Sequence, residues 1–217
     1  MELFSDKAGD EGLPGRPRAL AMAAVMTSTT MAVFDGSMVN IALPQIAAAL
    51  KVSAPAAVWV ANGYLPAAAM TLAIFAALAS RFGFRLLFAC ELSLFTAASL
   101  GCALSSSLTA LTGWRIVQGI GGAATLSIAP AILRSVFPDR LLGRILGLHA
   151  LLIAASTALA PLLGGTLLAA LDWRWLFAVN LPLGAIALML TLRVIPGKKA
   201  PQREPFDVAG AWLSAIM

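Results

Sequence analysis

The chain has 217 residues, 60% of them hydrophobic and 12% charged, with a mean hydropathy of +0.89. Soluble domains carry about 25% charged residues, so a soluble enzyme or nucleic-acid-binding domain is nearly excluded, and the net charge of +5 needs another explanation. Residues 52–80, 92–114 and 145–171 contain no Asp, Glu, Lys or Arg, and each stretch exceeds the roughly 20 apolar residues that cross a bilayer as a helix.

In chain order, residues 1–18 read as a cytoplasmic tail that mixes both charge signs with Gly and Pro and carries no readable secretory signal. Apolar runs set against breakers predict spans at 19–43, 57–79, 86–104, 109–133, 145–170 and 175–195, a six-helix bundle over 19–195. A cytoplasmic linker is expected at 196–205 and the start of a seventh helix at 206–217. The breaks fall at 44–55, 81–85, 105–107, 134–144, 172–174 and 196–205. None holds a further span, so consecutive helices cross in opposite directions. The last apolar segment is too short to cross, and the expectation is the leading part of a longer transporter.

With the amino terminus inside, twelve Lys and Arg residues face the cytoplasm, whereas only Lys51 and Arg174 face outward and Arg115 lies within a span. Such a bias sets the orientation in a cell (inner or plasma) membrane. It also accounts for the basic balance without nucleic acid. Cys90 and Cys102 share one expected helix at about 18 Å separation, too far for a disulfide.

Two charges fall inside expected spans. Asp35 lies in the first, where a carboxylate at the helix centre costs roughly 2.5–3.5 kcal/mol to insert. Its functional reading is a group that exchanges a proton while lining an aqueous cavity; the structural reading is an acid paired to a neighbouring helix. Arg115 lies in the fourth span, and helical spacing puts it on one face with Gln118, Gly119 and Gly122. That face suits a cavity wall, against the alternative of snorkelling to the outer interface. The run Gly119-x-Gly121-x-x-Ala124 matches a dinucleotide fingerprint only formally, because it sits inside an apolar helix with no strand before it; small residues there serve close helix packing.

In the fifth span Ala154, Ala158, Pro161 and Gly165 repeat at helical spacing, a smooth face with a proline kink. Glu91 and His149 lie near cytoplasmic helix ends. Glu91 is expected to be an interfacial charge paired with Arg85 or a second cytoplasmic loop. His149, the single histidine, has no ligand-spaced partners, so no metal site is expected. There is no Walker loop and no Ser-His-Asp set, so neither ATP hydrolysis nor triad chemistry is expected.

These residues resemble the major facilitator superfamily, and within it the fourteen-helix drug:proton antiporter branch. Asp35-x-Ser37-x-Val39-Asn40-x-Ala42-Leu43-Pro44 is similar to that branch's first-helix motif, and Arg115-x-x-Gln118-Gly119-x-Gly121-Gly122-Ala123 to the fourth-helix motif. Pro161-x-x-Gly164-Gly165 is similar to the fifth-helix antiporter motif, and Trp173-Arg174-Trp175-x-Phe177-x-x-Asn180-x-Pro182-x-Gly184 to the opening of the sixth helix. The family's gating loop between helices two and three appears as Ser80-Arg81-Phe82-Gly83-Phe84-Arg85, with Ser80 where the family has the carboxylate of its gating charge network. Ala160 replaces the Gly expected before Pro161.

The resemblance implies an all-α integral membrane protein forming one six-helix half of a two-half fold that rocks around a midplane cavity. It implies a proton-coupled secondary transporter, not an enzyme, that exports small hydrophobic or cationic compounds. No cofactor other than the proton gradient is implied. Asp35 and Arg115 would be the proton-linked pair, Asn40 and Gln118 polar lining, and Gly119, Gly122, Pro161, Gly164 and Gly165 packing positions. The partners would be a small-molecule substrate, the lipid bilayer, and a missing carboxy-terminal half or a second copy. Two further readings stay open: a truncated, non-transporting membrane fragment, and a half-size transporter working as a homodimer.

Overall fold

The computed structural model describes residues 2–4 and 10–197. The expected seventh-helix start at 206–217, most of the 196–205 linker and part of the 1–18 tail lie outside the described residues. The helices are α1 (Gly15–Leu50), α2 (Ala54–Phe82), α3 (Phe84–Ala103), α4 (Leu108–Val136), α5 (Asp139–Ala170), α6 (Trp175–Ala178) and α7 (Asn180–Val194). They make six stretches long and apolar enough to cross a membrane, with α6 and α7 forming the sixth. Among the described residues there is no β-strand.

Local chemistry sets the helix ends. Ser53 and Ser107 cap α2 and α4 by accepting from the backbone N–H groups of Ala56 and Ala110 at 3.4 and 3.2 Å. Gly83 alone separates α2 from α3, at φ 89°, a conformation that side chains disfavour. Lys51 ends α1 in the left-handed region, at φ 55°.

Besides the 81–85 break, reduced to Gly83, two expected breaks are shorter than the sequence suggests. The 44–55 break shrinks because α1 continues through Pro44 to Leu50. A membrane helix tolerates the hydrogen bond that proline removes where neighbouring groups re-satisfy the backbone. The 134–144 break shrinks to Phe137-Pro138, since α4 runs to Val136 and α5 opens at Asp139. At this second break hydropathy detects only the apolar stretch of α5 and misses its charged first turns, Asp139 to Arg144. Asp139 in the first turn of α5 suits the positive end of the helix dipole.

Helices α1 and α4 are central. Helix α4 packs on α2 and α3, α1 packs on α5, α7, α2 and α4, and α7 also packs on α3. All helix-terminal arginines of α1 to α5 and α7 (Arg16, Arg18, Arg81, Arg85, Arg134, Arg140, Arg144 and Arg193) fall at one end of the bundle, the basic end. There the segment before α1 is tied down: Arg18, 1% exposed, donates to the carbonyl of Leu13, the Leu13 N–H donates to the carbonyl of Val136, and Asp10 pairs with Arg140.

The apolar interior is split into two clusters. One, toward the basic end, includes Met31, Tyr64, Leu92, Phe95, Ile128 and Ala187. The other includes Met38, Val60, Cys102, Leu111 and Phe177. Asp35 falls between Met31 and Met38, Ser99 between Phe95 and Cys102, Arg115 and Gln118 between Leu111 and Ile128, and Asn180 between Phe177 and Ala187. The fold therefore places one buried polar layer where the two apolar cores meet.

Candidate functional site

Five of the six spans converge on that layer. Asp35 from α1 is 3% exposed, Arg115 and Gln118 from α4 are 1% and 0%, and Ser99 from α3 and Asn180 from α7 are equally buried. The Arg115 guanidinium forms an ion pair with Oδ2 of Asp35. It also donates from Nη1 to Oε1 of Gln118 at 2.7 Å and from Nε to the carbonyl of Val60 on α2 at 3.3 Å. Gln118 Nε2 donates to Asp35 Oδ1 at 2.9 Å and to Ser99 Oγ at 2.8 Å. Asn180 Nδ2 donates to the same Asp35 oxygen at 3.1 Å. The carboxylate thus accepts three donors, each from a different side chain.

Aromatic faces close the cation in. The guanidinium carbon of Arg115 lies 4.4 Å from the centre of the Tyr64 ring and 5.7 Å from that of Phe177, within range of cation–π attraction. Arg115 therefore points inward and does not snorkel. A cavity of about 400 Å³ between α1, α5, α6 and α7 reaches Asp35 and Asn180. Met31, Phe34, Met38, Leu163, Leu167 and Leu183 give it mostly apolar walls.

Small residues let α4 approach its neighbours. A Cβ on Gly119 would strike the carbonyl of Tyr64, and one on Gly122 the Tyr64 hydroxyl. Gly121 meets Phe95 in the same way at 2.9 Å. Three members of the formal dinucleotide fingerprint region are thus contact points between helices. In α5, Gly164 lies against Met38, with a Cβ there 3.1 Å from its Cγ. Gly165 has open space, and Ala154, Ala158 and Pro161 are exposed, so the smooth face expected there is uncovered in this chain.

The structure brings Asp35, Arg115 and Gln118 together. Asn40 stays apart: it is exposed on α1, five residues past Asp35, and outside the polar layer. Its carbonyl faces the position where Pro44 has no N–H to offer. Arg81 and Arg85 flank Gly83 at the basic end, where Arg85 donates to the carbonyl of Leu192 and Arg81 lies over the Phe82 ring. Ser80 belongs to the last turn of α2, and its side chain lies outside the described ones.

Glu91 differs from expectation. It is 1% exposed, facing α4 with Thr125 as its donor, and it pairs neither with Arg85 nor with a loop. The reason is helical phase: α3 buries Leu87, Phe88, Glu91, Leu92 and Phe95 on one side, so Glu91 rides on the core face. His149 meets Thr29 across the α1–α5 contact at 3.0 Å.

Sequence reading missed Ser99, Tyr64 and the site role of Asn180. Asn180 belonged to the sixth-helix pattern. Tyr64 is the only tyrosine in the chain, and it sits on the apolar face of α2, where nothing in the spacing distinguishes a ring under a cation from a core residue.

The sequence model of the Major Facilitator Superfamily matches residues 25–216. The chain is 39% identical over 211 residues to the uncharacterized transporter YebQ of Escherichia coli (strain K12), covering 97% of this chain and 46% of that protein. It is 35% identical over 201 residues to the tetracenomycin C resistance and export protein of Streptomyces glaucescens, covering 92% and 37%. It therefore spans less than half the length of these curated relatives. Its fold is similar to the crystal structure of the peptide transporter POT, with a TM-score of 0.73 at 17% identity over 95% of this chain and 44% of that one.

Proposed function

The chain belongs to the Major Facilitator Superfamily, and we propose that it supplies the first six-helix half of a proton-coupled exporter of small hydrophobic or cationic compounds. Like other members it is a multi-pass membrane transporter and not an enzyme. The observation that carries the coupling is the buried Asp35–Arg115 pair with its retinue of Gln118, Ser99 and Asn180. A fully desolvated ion pair is a poor way to stabilise a fold, because desolvation offsets most of the Coulomb gain. It serves well as a switch. A proton on Asp35 cancels its charge and frees Arg115, so the two protonation states favour different packings of α1 against α4. The export reading is supported by the tetracenomycin relative and by the apolar cavity that ends on Asp35. The second six-helix unit is supplied by a continuation of the chain or by a second copy.

The test is transport into inverted vesicles containing the complete transporter. Uptake of a fluorescent lipophilic cation should follow an imposed pH gradient and collapse when a protonophore removes it. Uptake indifferent to the gradient contradicts coupling.

The charge distribution gives this reading its orientation, with the basic end in the cytoplasm. Reporter fusions after Ser53 and Ser106 are expected to read as external, and those after Gly83 and Arg140 as internal. A single inverted assignment among the four contradicts that orientation.

A further inference from the structure

Among the described residues only two acids are deeply buried, Asp35 and Glu91, and the Asp35 cluster makes no use of the second. Glu91 lies seven residues into α3, about 10 Å from the basic end along the helix axis. The Thr125 hydroxyl donates to its Oε1, while Oε2 has no hydrogen-bond partner among the described residues. A buried carboxylate without a cation is a costly group, and such charges in membrane interiors mark ion or proton pathways.

Among the described residues, the ionisable groups on the elements packed against α3 give Glu91 no counter-charge. On α4, Arg115 is engaged with Asp35 and sits ten residues from Thr125, about 15 Å along the axis, and Arg134 is exposed at the basic end. On α2 the groups are Tyr64 and the exposed Arg81, on α7 the exposed Arg193, and α6 has none. On α3 itself Arg85 engages Leu192 and Cys90 is exposed. A metal cation fits poorly as well. Calcium takes six to eight oxygens and magnesium a full octahedron, whereas Glu91 and Thr125 offer few, and no cluster of three His, Cys, Asp or Glu exists among the described residues.

A proton needs only the free oxygen. Tyr64 sets the geometry between the two acids: its ring lies under Arg115 and its hydroxyl lies against Gly122, three residues before Thr125 on the same face of α4. Polar groups therefore run down α4 from Asp35 through Arg115, Tyr64 and Thr125 to Glu91. We propose that Glu91 is a second proton-binding site, on the basic-end side of the Asp35–Arg115 pair, that takes up and gives back a proton at Oε2. Binding forms one O–H bond and neutralises the carboxylate; release breaks that bond and returns the proton to water at the basic end. The site's part in transport rests on the proton-coupled reading above, but its occupancy does not.

Infrared difference spectroscopy on the whole chain in lipid nanodiscs tests it. The wild type should show the carbonyl stretch of a protonated carboxylic acid, shifting when water is replaced by deuterium oxide. Glu91→Gln should lack that band and Asp35→Asn should keep it. Thr125→Val leaves Glu91 in place and removes its only donor among the described residues, so the band should move to higher frequency, a result that does not depend on Glu91→Gln folding. Absence of the band from the wild type, its persistence in Glu91→Gln, or no movement in Thr125→Val would overturn the proposal. Loss of coupling in Asp35→Asn with the band intact bears only on Asp35, so the two readings fail separately.

Discussion

Arg115→Ala lowers the stability of the bundle by about 3–5 kcal/mol, the cost of leaving one partner of a buried ion pair unpaired. Asp35 would keep Gln118 and Asn180 as donors but lose its cation, and Val60 and the Tyr64 ring would lose theirs. Uncharged hydrogen bonds between membrane helices average about 0.6 kcal/mol, so Gln118→Ala or Asn180→Ala should cost much less than Arg115→Ala. Arg115→Lys falls between, since it keeps the charge but loses the planar fork that reaches Asp35, Gln118 and Val60 together. Thermal unfolding in detergent, followed by size-exclusion chromatography, ranks the four. The double variant Asp35→Ala with Arg115→Ala should be more stable than Arg115→Ala alone, because no charge is left without a partner. An Arg115→Ala protein as stable as the wild type contradicts the pairing.

Gly119→Ala is expected to cost about 1–3 kcal/mol through overpacking. The added Cβ meets the Tyr64 carbonyl and lies 3.1 Å from Ala67 Cβ. Backbone is struck, so α2 itself must move, and Tyr64 is carried off the face of Arg115. Gly147→Ala is the internal control, because a Cβ there meets nothing within 4 Å. Replacing a mid-helix Gly with Ala gains roughly 0.5–1 kcal/mol where space allows. The two substitutions should therefore shift the unfolding temperature in opposite directions. Equal shifts would mean that the close contact of α2 with α4 is not what Gly119 serves.

Much of this architecture was legible from composition alone, because a bilayer-crossing helix advertises itself by its uninterrupted apolar length. Helix ends were less so: α1 runs past Pro44 because a proline need not end a membrane helix, and α5 starts at Asp139 because its polar first turns carry no hydropathy signal. The pair Asp35 and Arg115 stood out as charges in apolar runs, and the structure joins them. Ser99 and Asn180 did not, because a small polar residue in a membrane helix is common and only tertiary packing brings Asn180 to the Asp35 carboxylate and Ser99 to the Gln118 amide that bonds it. Glu91 was misplaced for a related reason. Distance from a helix end is readable in one dimension, whereas the side of the helix that packs on α4 depends on the neighbours.

The central claim is that Asp35 carries a proton coupled to substrate. Asp35→Asn keeps the size of the side chain and leaves Asn180 and Arg115 groups to bond, but has no titratable proton, so binding should persist while coupling stops. The deciding measurement is proton release on substrate addition to the complete transporter in weakly buffered solution, taken beside binding affinity and normalised to folded protein. Wild type should release protons on binding, and Asp35→Asn should bind with similar affinity and release none. Unchanged proton release from Asp35→Asn would remove this residue from the coupling mechanism.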